Sequence, residues 1–359
     1  MIDPQSRSLE WIEQASGLIP NIADTALVEK AIRALSLLES LVRSGCPFVF
    51  KGGTALMLHL DTSRRLSIDV DIVCPPGTDI REFLGQYGSE YGFTEAKEVE
   101  RNSRTGVPKS HAEYRYAVTY PSGRPVDKIL LDVLYEDIHY SEVVPLPIES
   151  PLIKQMGTPA IVQCPSLKDM LGDKLTAFAP HTTGIPFYKN GDECFMEIMK
   201  QLYDVSSILD RIDDLSEVRK TYSEIVPIEL GYRSMDYLSE SDVLADTYNC
   251  AMNICHRGAL DKKEFGYYAD GARRVNSFII PENYNADIAI RDAAKVAYLA
   301  RLIQTGSNQV KHYAPEMNEE LAATLIENQE LNKLNRIKKI SLEAFFYLLE
   351  IEKMAENRG

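Results

Sequence analysis

Apolar residues recur at helical spacing over Leu9–Ile19 and over Ala26–Ser44, where Val28, Ile32, Leu35, Leu38, Leu41 and Val42 share one face. Gly45-Cys46-Pro47 ends the second helix. Phe48-Val49-Phe50 predicts a short buried strand, Thr54–Leu60 a helix starting near Gly53 or Thr54, and Leu66–Val73 a strand closed by Pro75-Pro76-Gly77. Phe83, Leu84, Tyr87 and Tyr91 predict a helix over Ile80–Gly92. Glu113–Tyr120 alternates as a strand does and stops at Pro121-Ser122-Gly123. Lys128–Tyr135 is the most strand-like run, apolar in its centre except for Asp132.

Beyond Pro165 the pattern becomes helical. Ser166–Phe178 opens with Ser166 as N-cap and Asp169 at the third helical position. Phe195–Leu209, Asp242–Arg257, Asn285–Thr305, Glu319–Glu330 and Leu342–Ala355 follow. The expected fold class is α+β: N-terminal helices over 1–45, a mixed α/β lobe over 46–160, and a helical bundle over 161–359.

A chain of 359 residues supports two lobes, and 45% hydrophobic with 26% charged residues is ordinary globular composition. The opening Met1-Ile2-Asp3-Pro4-Gln5-Ser6 lacks the order of a secretory signal, and no apolar run reaches the ~18–20 residues that span a bilayer. The expectation is a soluble cytoplasmic protein without membrane contact. Six scattered cysteines fit reduced, buried thiols. Cys250, Cys255 and His256 invite a zinc reading, but no second pair has finger spacing, so they read as helix core. A net charge of −14 argues against broad adhesion to nucleic acid. The charge is uneven. Arg101, Arg104, Lys109, Arg115, Arg124 and Lys128 form a basic stretch, whereas Ile208–Glu217 is acid-rich; the basic stretch reads equally as a solvated hairpin or a phosphate-binding surface.

Asp69 and Asp71 lie two apart on an expected strand, so both carboxylates project to one side, with Cα atoms ~6.5–7 Å apart. That spacing suits one or two hard divalent cations bound through oxygen, although Asp-x-Asp also occurs on solvated edge strands. Asp132 interrupts an apolar strand, where a buried carboxylate is costly unless paired or metal-bound; the plainer reading is a strand-end turn cap. Lys51-Gly52-Gly53-Thr54 lies between strand and helix. Its glycines let backbone approach a phosphate at a helix N-terminus, with Lys51 and Thr54 adding a cation and a hydroxyl. A tight structural turn is the alternative, and P-loop spacing is absent.

The order of Phe50-Lys51-Gly52-Gly53-Thr54-Ala55-Leu56 and Arg65-Leu66-Ser67-Ile68-Asp69-Val70-Asp71 resembles the DNA polymerase β-type nucleotidyltransferase superfamily, and more closely the AbiEii/AbiGii toxin family. Leu131-Asp132-Val133, Gly172-Asp173-Lys174-Leu175-Thr176-Ala177 and Lys200-Gln201-Leu202-Tyr203-Asp204-Val205 follow in the family's order, so the resemblance covers about residues 48–210. It implies a polymerase β-type lobe, Gly52, Gly53 and Thr54 holding an NTP, and Asp69, Asp71 and Asp132 binding Mg²⁺, with two ions accommodated. It further implies that Lys174 contacts the triphosphate and that Asp204 fits a later family Asp on the nucleotide-binding side. By itself Lys174 reads as a surface lysine on an amphipathic helix. The implied activity is transfer of NMP to an acceptor hydroxyl, tRNA favoured, by the toxin of a type IV toxin–antitoxin or abortive-infection pair with a cognate antitoxin. The alternative is a non-catalytic NTP sensor or partner-binding protein on the same fold. Two departures stand out. The Gly53-to-Asp69 gap is long, which Asp61-Thr62-Ser63 would absorb as a loop, and Pro180-His181-Thr182-Thr183-Gly184-Ile185-Pro186 occupies a region where the family often carries an arginine.

Overall fold

The computed structural model describes residues 1–21, 24–60, 64–99, 108–121 and 123–356. Arg101, Arg104 and Asp61-Thr62-Ser63 lie outside the described residues. The chain divides into two compact units, Met1–Met170 with Ser277–Asn283, and Leu171–Asn276 with Tyr284–Gly359.

In the first unit, α1 (Leu9–Gly17) precedes α2 (Thr25–Arg43), which starts where the Asp24 carboxylate accepts the Ala26 N–H. Val28, Ile32, Leu35 and Leu38 are fully buried along α2, which packs on the sheet. β1 (Val49–Lys51) runs directly into α3 (Gly52–His59). β2 (Val70–Cys74), β3 (Phe93–Val99), β4 (Lys109–Ala117) and β5 (Val126–Tyr135) complete a five-stranded mixed sheet in the order β1-β2-β5-β4-β3. Among the described residues of this sheet, only β2 and β5 pair in parallel. A two-stranded sheet of β6 (Val143–Pro147) and β7 (Ile161–Pro165) leads into α4 (Leu167–Ala177), within which the first unit ends. Ser166 and Asp169 cap α4 as expected: the Ser166 hydroxyl accepts the Asp169 N–H at 3.1 Å. The Asp169 carboxylate also takes the N–H groups of Ser141 and Glu142.

The second unit carries a small hairpin of β8 (Tyr188–Lys189) and β9 (Asp192–Glu193), then α5 (Phe195–Leu209), α6 (Ser216–Tyr232), α7 (Glu240–Cys255), α8 (Lys262–Val275), α9 (Ala286–Thr305), α10 (Asn318–Ala323) and α11 (Leu342–Glu356). α9 is the axis of this bundle, packing on α5, α7 and α11. Its buried Ala293, Ala297 and Ala300 allow close helix approach. The expectation of a mixed α+β lobe followed by helices therefore holds.

Three local expectations change. Ile80–Gly92 is not a helix beyond a 3₁₀ turn at Ile80–Glu82, because Gly85 and Gly92 adopt φ of 80° and break it. The strand expected over Leu66–Val73 begins at Val70. The helix expected over Glu319–Glu330 stops at Ala323 because side chains take over the backbone groups beyond it. Asn335 bonds both the N–H and the carbonyl of Ile326, and Glu352 accepts the N–H groups of Glu327 and Asn328.

Candidate active site

Strand register brings four polar residues into one row. Lys51 lies opposite Asp71, Asp71 opposite Asp132, and Asp132 opposite His111, so the row crosses β1, β2, β5 and β4. Residues directly opposite on neighbouring strands project to the same face, ~5 Å apart. Val70, Ile72, Leu131 and Val133 are buried and form the reverse face. The Asp132 side chain is 41% exposed. This corrects the expectation of a buried carboxylate inside an apolar strand: alternation places Asp132 on the open face, with its apolar neighbours turned to the core.

His111 Nδ1 donates to Asp132 Oδ1 at 2.5 Å. His111 lies outside every motif of the sequence and joins the site only through strand pairing. A signal was present: β4 and β5 follow each other in the chain, and their antiparallel pairing sets residue 111 opposite residue 132.

Gly52 has a φ of 79°, a conformation that disfavours any side chain, and a Cβ there would lie 2.1 Å from Asp71 Oδ2. The turn and the carboxylate are thus in direct contact. A Cβ on Gly53 would meet the Arg65 guanidinium at 2.5 Å and the Ser67 hydroxyl at 2.7 Å. Arg65, buried at 6% exposure, brings a cation against the glycine turn. Lys51 occupies the N-cap position of α3 without a side-chain cap bond, and its Nζ lies 6.0 Å from the Tyr140 ring centroid. Thr54 is fully buried, and its hydroxyl donates to the Asp69 carbonyl at 2.6 Å. In this structure Thr54 therefore ties α3 to the segment that carries the acids. Asp69 is half-buried and directly precedes β2, sharing the partial exposure of Asp71 while Val70 between them is buried.

Lys174 and Asp204 belong to the second unit, on α4 and α5. They bond each other: Lys174 Nζ lies 2.7 Å from Asp204 Oδ2, both side chains being less than a tenth exposed. The surface position that its helix pattern alone gave Lys174 is thus corrected. Cys250 and Cys255 are core residues of α7, as expected, and face different ways, since five helical positions separate them by ~140°. In the described part of the basic stretch, Lys128 and Arg115 pair with Glu113, and Arg115 also reaches Glu95 at 3.6 Å, which favours the solvated hairpin.

The family described as "Nucleotidyl transferase AbiEii toxin, Type IV TA system" matches residues 33–234, more than half of the chain. The chain belongs to this family. As an AbiEii member it is a nucleotidyltransferase, and the matched residues take in the whole Lys51–Asp132 row and the Lys174–Asp204 pair. The sequence matches none of the curated proteins. Solved structures similar to it include JHP933 from Helicobacter pylori, 12% identical over 77% of this chain and 93% of that one, with a TM-score of 0.42. An antigenic nucleotidyltransferase-like protein from Paracoccidioides brasiliensis is 15% identical over 58% of this chain and 92% of that one, with a TM-score of 0.33. Among the described residues no helix is long and apolar enough to cross a membrane.

Proposed function

We propose that this AbiEii nucleotidyltransferase transfers NMP from an NTP to an acceptor hydroxyl, with tRNA as acceptor, as the toxin of a type IV toxin–antitoxin pair acting in the cytoplasm. The observation that carries the reading is Asp71 opposite Asp132 in adjacent register, with Gly52 in contact with the Asp71 carboxylate. Asp69, Asp71 and Asp132 offer oxygen donors only, the set that a hard cation such as Mg²⁺ prefers over softer ions. When bound, one or two Mg²⁺ ions would supply charge neutralisation at the transferring phosphoryl group.

The chain's own residues carry the rest. Gly52 and Gly53 let the triphosphate approach the backbone, and the uncapped first turn of α3, with Lys51 beside it, favours negative charge. The acceptor oxygen attacks the α-phosphorus, its proton passes to Asp132, and the bond to the β-phosphate oxygen breaks to release pyrophosphate. His111 holds the Asp132 carboxylate in one orientation for that transfer. The role of Lys174 at the leaving pyrophosphate, and that of Asp204 in nucleotide binding, rest on the family resemblance.

The test is incubation of purified protein with Mg²⁺, α-labelled NTPs and total RNA. Labelled tRNA-sized RNA that disappears with Asp71→Asn is the expected result. Label on protein or a small molecule would remove tRNA from the reading. Metal-dependent NTP binding without pyrophosphate release for any acceptor would make the chain a sensor. Growth arrest on induction, relieved by a co-expressed antitoxin and absent in Asp69→Asn, tests the toxin role.

A further inference from the structure

The second unit holds a cluster that nucleotidyl transfer leaves unused. Asp246 and Cys250 lie four apart on α7 and so share one helix face. His181 comes to that face from the loop after α4, and one ligand atom from each of the three residues lies within 4.8 Å of the others. We propose that His181, Asp246 and Cys250 bind a transition-metal ion of the Zn²⁺ type.

The donor chemistry selects the ion. A thiolate and an imidazole with one carboxylate suit Zn²⁺ and disfavour Mg²⁺. Tetrahedral Zn–S and Zn–O bonds of ~2.3 and ~2.1 Å imply a sulfur–oxygen edge of ~3.6 Å. Cys250 Sγ and Asp246 Oδ1 are already 3.3 Å apart. Asp246 Oδ2 is committed elsewhere: it accepts the backbone N–H of His181 and the Thr182 hydroxyl, each at 2.9 Å. That leaves Oδ1 turned to the sulfur and ties the His181 loop to α7. Glu264 on α8 meets His181 Nε2 at 3.0 Å, a carboxylate partner of the kind that orients a metal-ligating imidazole.

A second observation marks the same spot. The Tyr268 hydroxyl is buried against the Cys250 thiol, a weak acceptor that leaves it without a full hydrogen bond. Buried polar atoms are seldom left so, and a sulfur converted from thiol to thiolate would give this hydroxyl a strong acceptor. Binding exchanges one proton for the ion: the Cys250 S–H releases H⁺ to solvent and the sulfur bonds the metal. Asp246 and Cys250 are buried, but the His181 side chain is half exposed, which provides the entry path and solvent for the fourth position. The ion would fasten the 178–187 loop to α7, where the Thr247 hydroxyl already bonds the Phe178 carbonyl.

The experiment uses the full chain, stripped with chelator and titrated with Zn²⁺ or Co²⁺ alone. The expected result is about one ion per chain with proton release, and a Co²⁺–thiolate absorption band. The band should vanish in Cys250→Ser and persist in Cys255→Ser. Because the His181 ring is half exposed, His181→Ala should fold normally and weaken Zn²⁺ binding by at least ~10-fold. A folded, stripped wild type that gives no thiolate band overturns the site. So does a band that survives Cys250→Ser, or unchanged Zn²⁺ affinity in a folded His181→Ala, which also decides the matter should Cys250→Ser fail to fold.

Discussion

Asp71 and Asp132 stand directly opposite each other on the parallel pair of strands β2 and β5. Two carboxylates ~5 Å apart repel by ~3 kcal/mol at an effective dielectric of ~20, and by less where water reaches the partly exposed Asp132. A cation between them turns the repulsion into a binding site. Asp71→Asn and Asp132→Asn should each lower nucleotidyl transfer on the order of 10²–10³-fold. Asp71→Asn should not lower the melting temperature in chelator, since it removes a like-charge contact, whereas Asp132→Asn also weakens the bond from His111. A melting temperature well below wild type in Asp71→Asn would mean that the pair is structural.

His111 acts on Asp132 and not on substrate, so its removal should be milder. His111→Ala is expected to weaken Mg²⁺ dependence or activity by ~10–100-fold, the range for partners that orient a metal-binding carboxylate. Measuring rate against Mg²⁺ concentration separates the cases. A positioning role shifts the Mg²⁺ midpoint, whereas equal loss at all Mg²⁺ concentrations would contradict it. His111→Asn, which keeps a donor, should recover part of the loss.

At the glycine turn the two positions should respond unequally. Gly52→Ala places a methyl against the Asp71 carboxylate and strains a left-handed residue, the latter costing ~1–2 kcal/mol. Gly53→Ala meets the ends of the Arg65 and Ser67 side chains, which can shift. Activity and melting temperature should both fall further for Gly52→Ala. Equal effects would mean that the turn does not set the Asp71 carboxylate.

Much of this was legible in the sequence for physical reasons that also explain the gaps. α2 and α9 carry long apolar stripes, and the acids of the row interrupt apolar strands, so both leave strong periodic signals. α8 is amphipathic, but its sequence is polar on average and carries Gly266 and Gly271, so its buried face of Tyr268, Gly271, Ala272 and Val275 gives a weak helix signal. α6 was hidden by Pro227 within it. β3 has an irregular register, and β6 and β7 form a separate two-stranded sheet with mixed composition. Lys174 and Asp204 were named separately by family order, but their pairing spans 30 residues of chain and depends on how two helices pack. His181, Asp246 and Cys250 are brought together in the same way, which no local spacing reveals.

The Lys174–Asp204 pair separates stability from chemistry. Removing one partner of a buried ion pair strands the other charge, at a cost of ~3–5 kcal/mol, so Lys174→Ala and Asp204→Ala should both lower the denaturation midpoint sharply. Lys174→Met combined with Asp204→Leu leaves no stranded charge and should recover most of that loss. If Lys174 also contacts the triphosphate, as the family resemblance implies, the stable double variant stays inactive. A double variant with wild-type transfer would confine Lys174 to a structural part.

His59 gives the first unit a predictable response to mild acid. Its Nε2 faces the Pro165 carbonyl at 2.8 Å, so the neutral ring carries its proton on that nitrogen. Burial lowers its pKa below the ordinary histidine value, and the opposing bond to Pro165 does not cancel the shift. With the folded value depressed, the unfolded chain binds the proton first as pH falls. The stability present above the unfolded pKa of about 6.5 is therefore lost as pH drops through the folded value. Buried His256 is shifted the same way and contributes in both proteins, so the comparison isolates His59. Urea midpoints of wild type and His59→Gln, which keeps a donor for the carbonyl, should converge between about pH 7.5 and pH 5.5 because the wild type loses more. Parallel midpoints across that window would show that His59 is not held neutral by the fold.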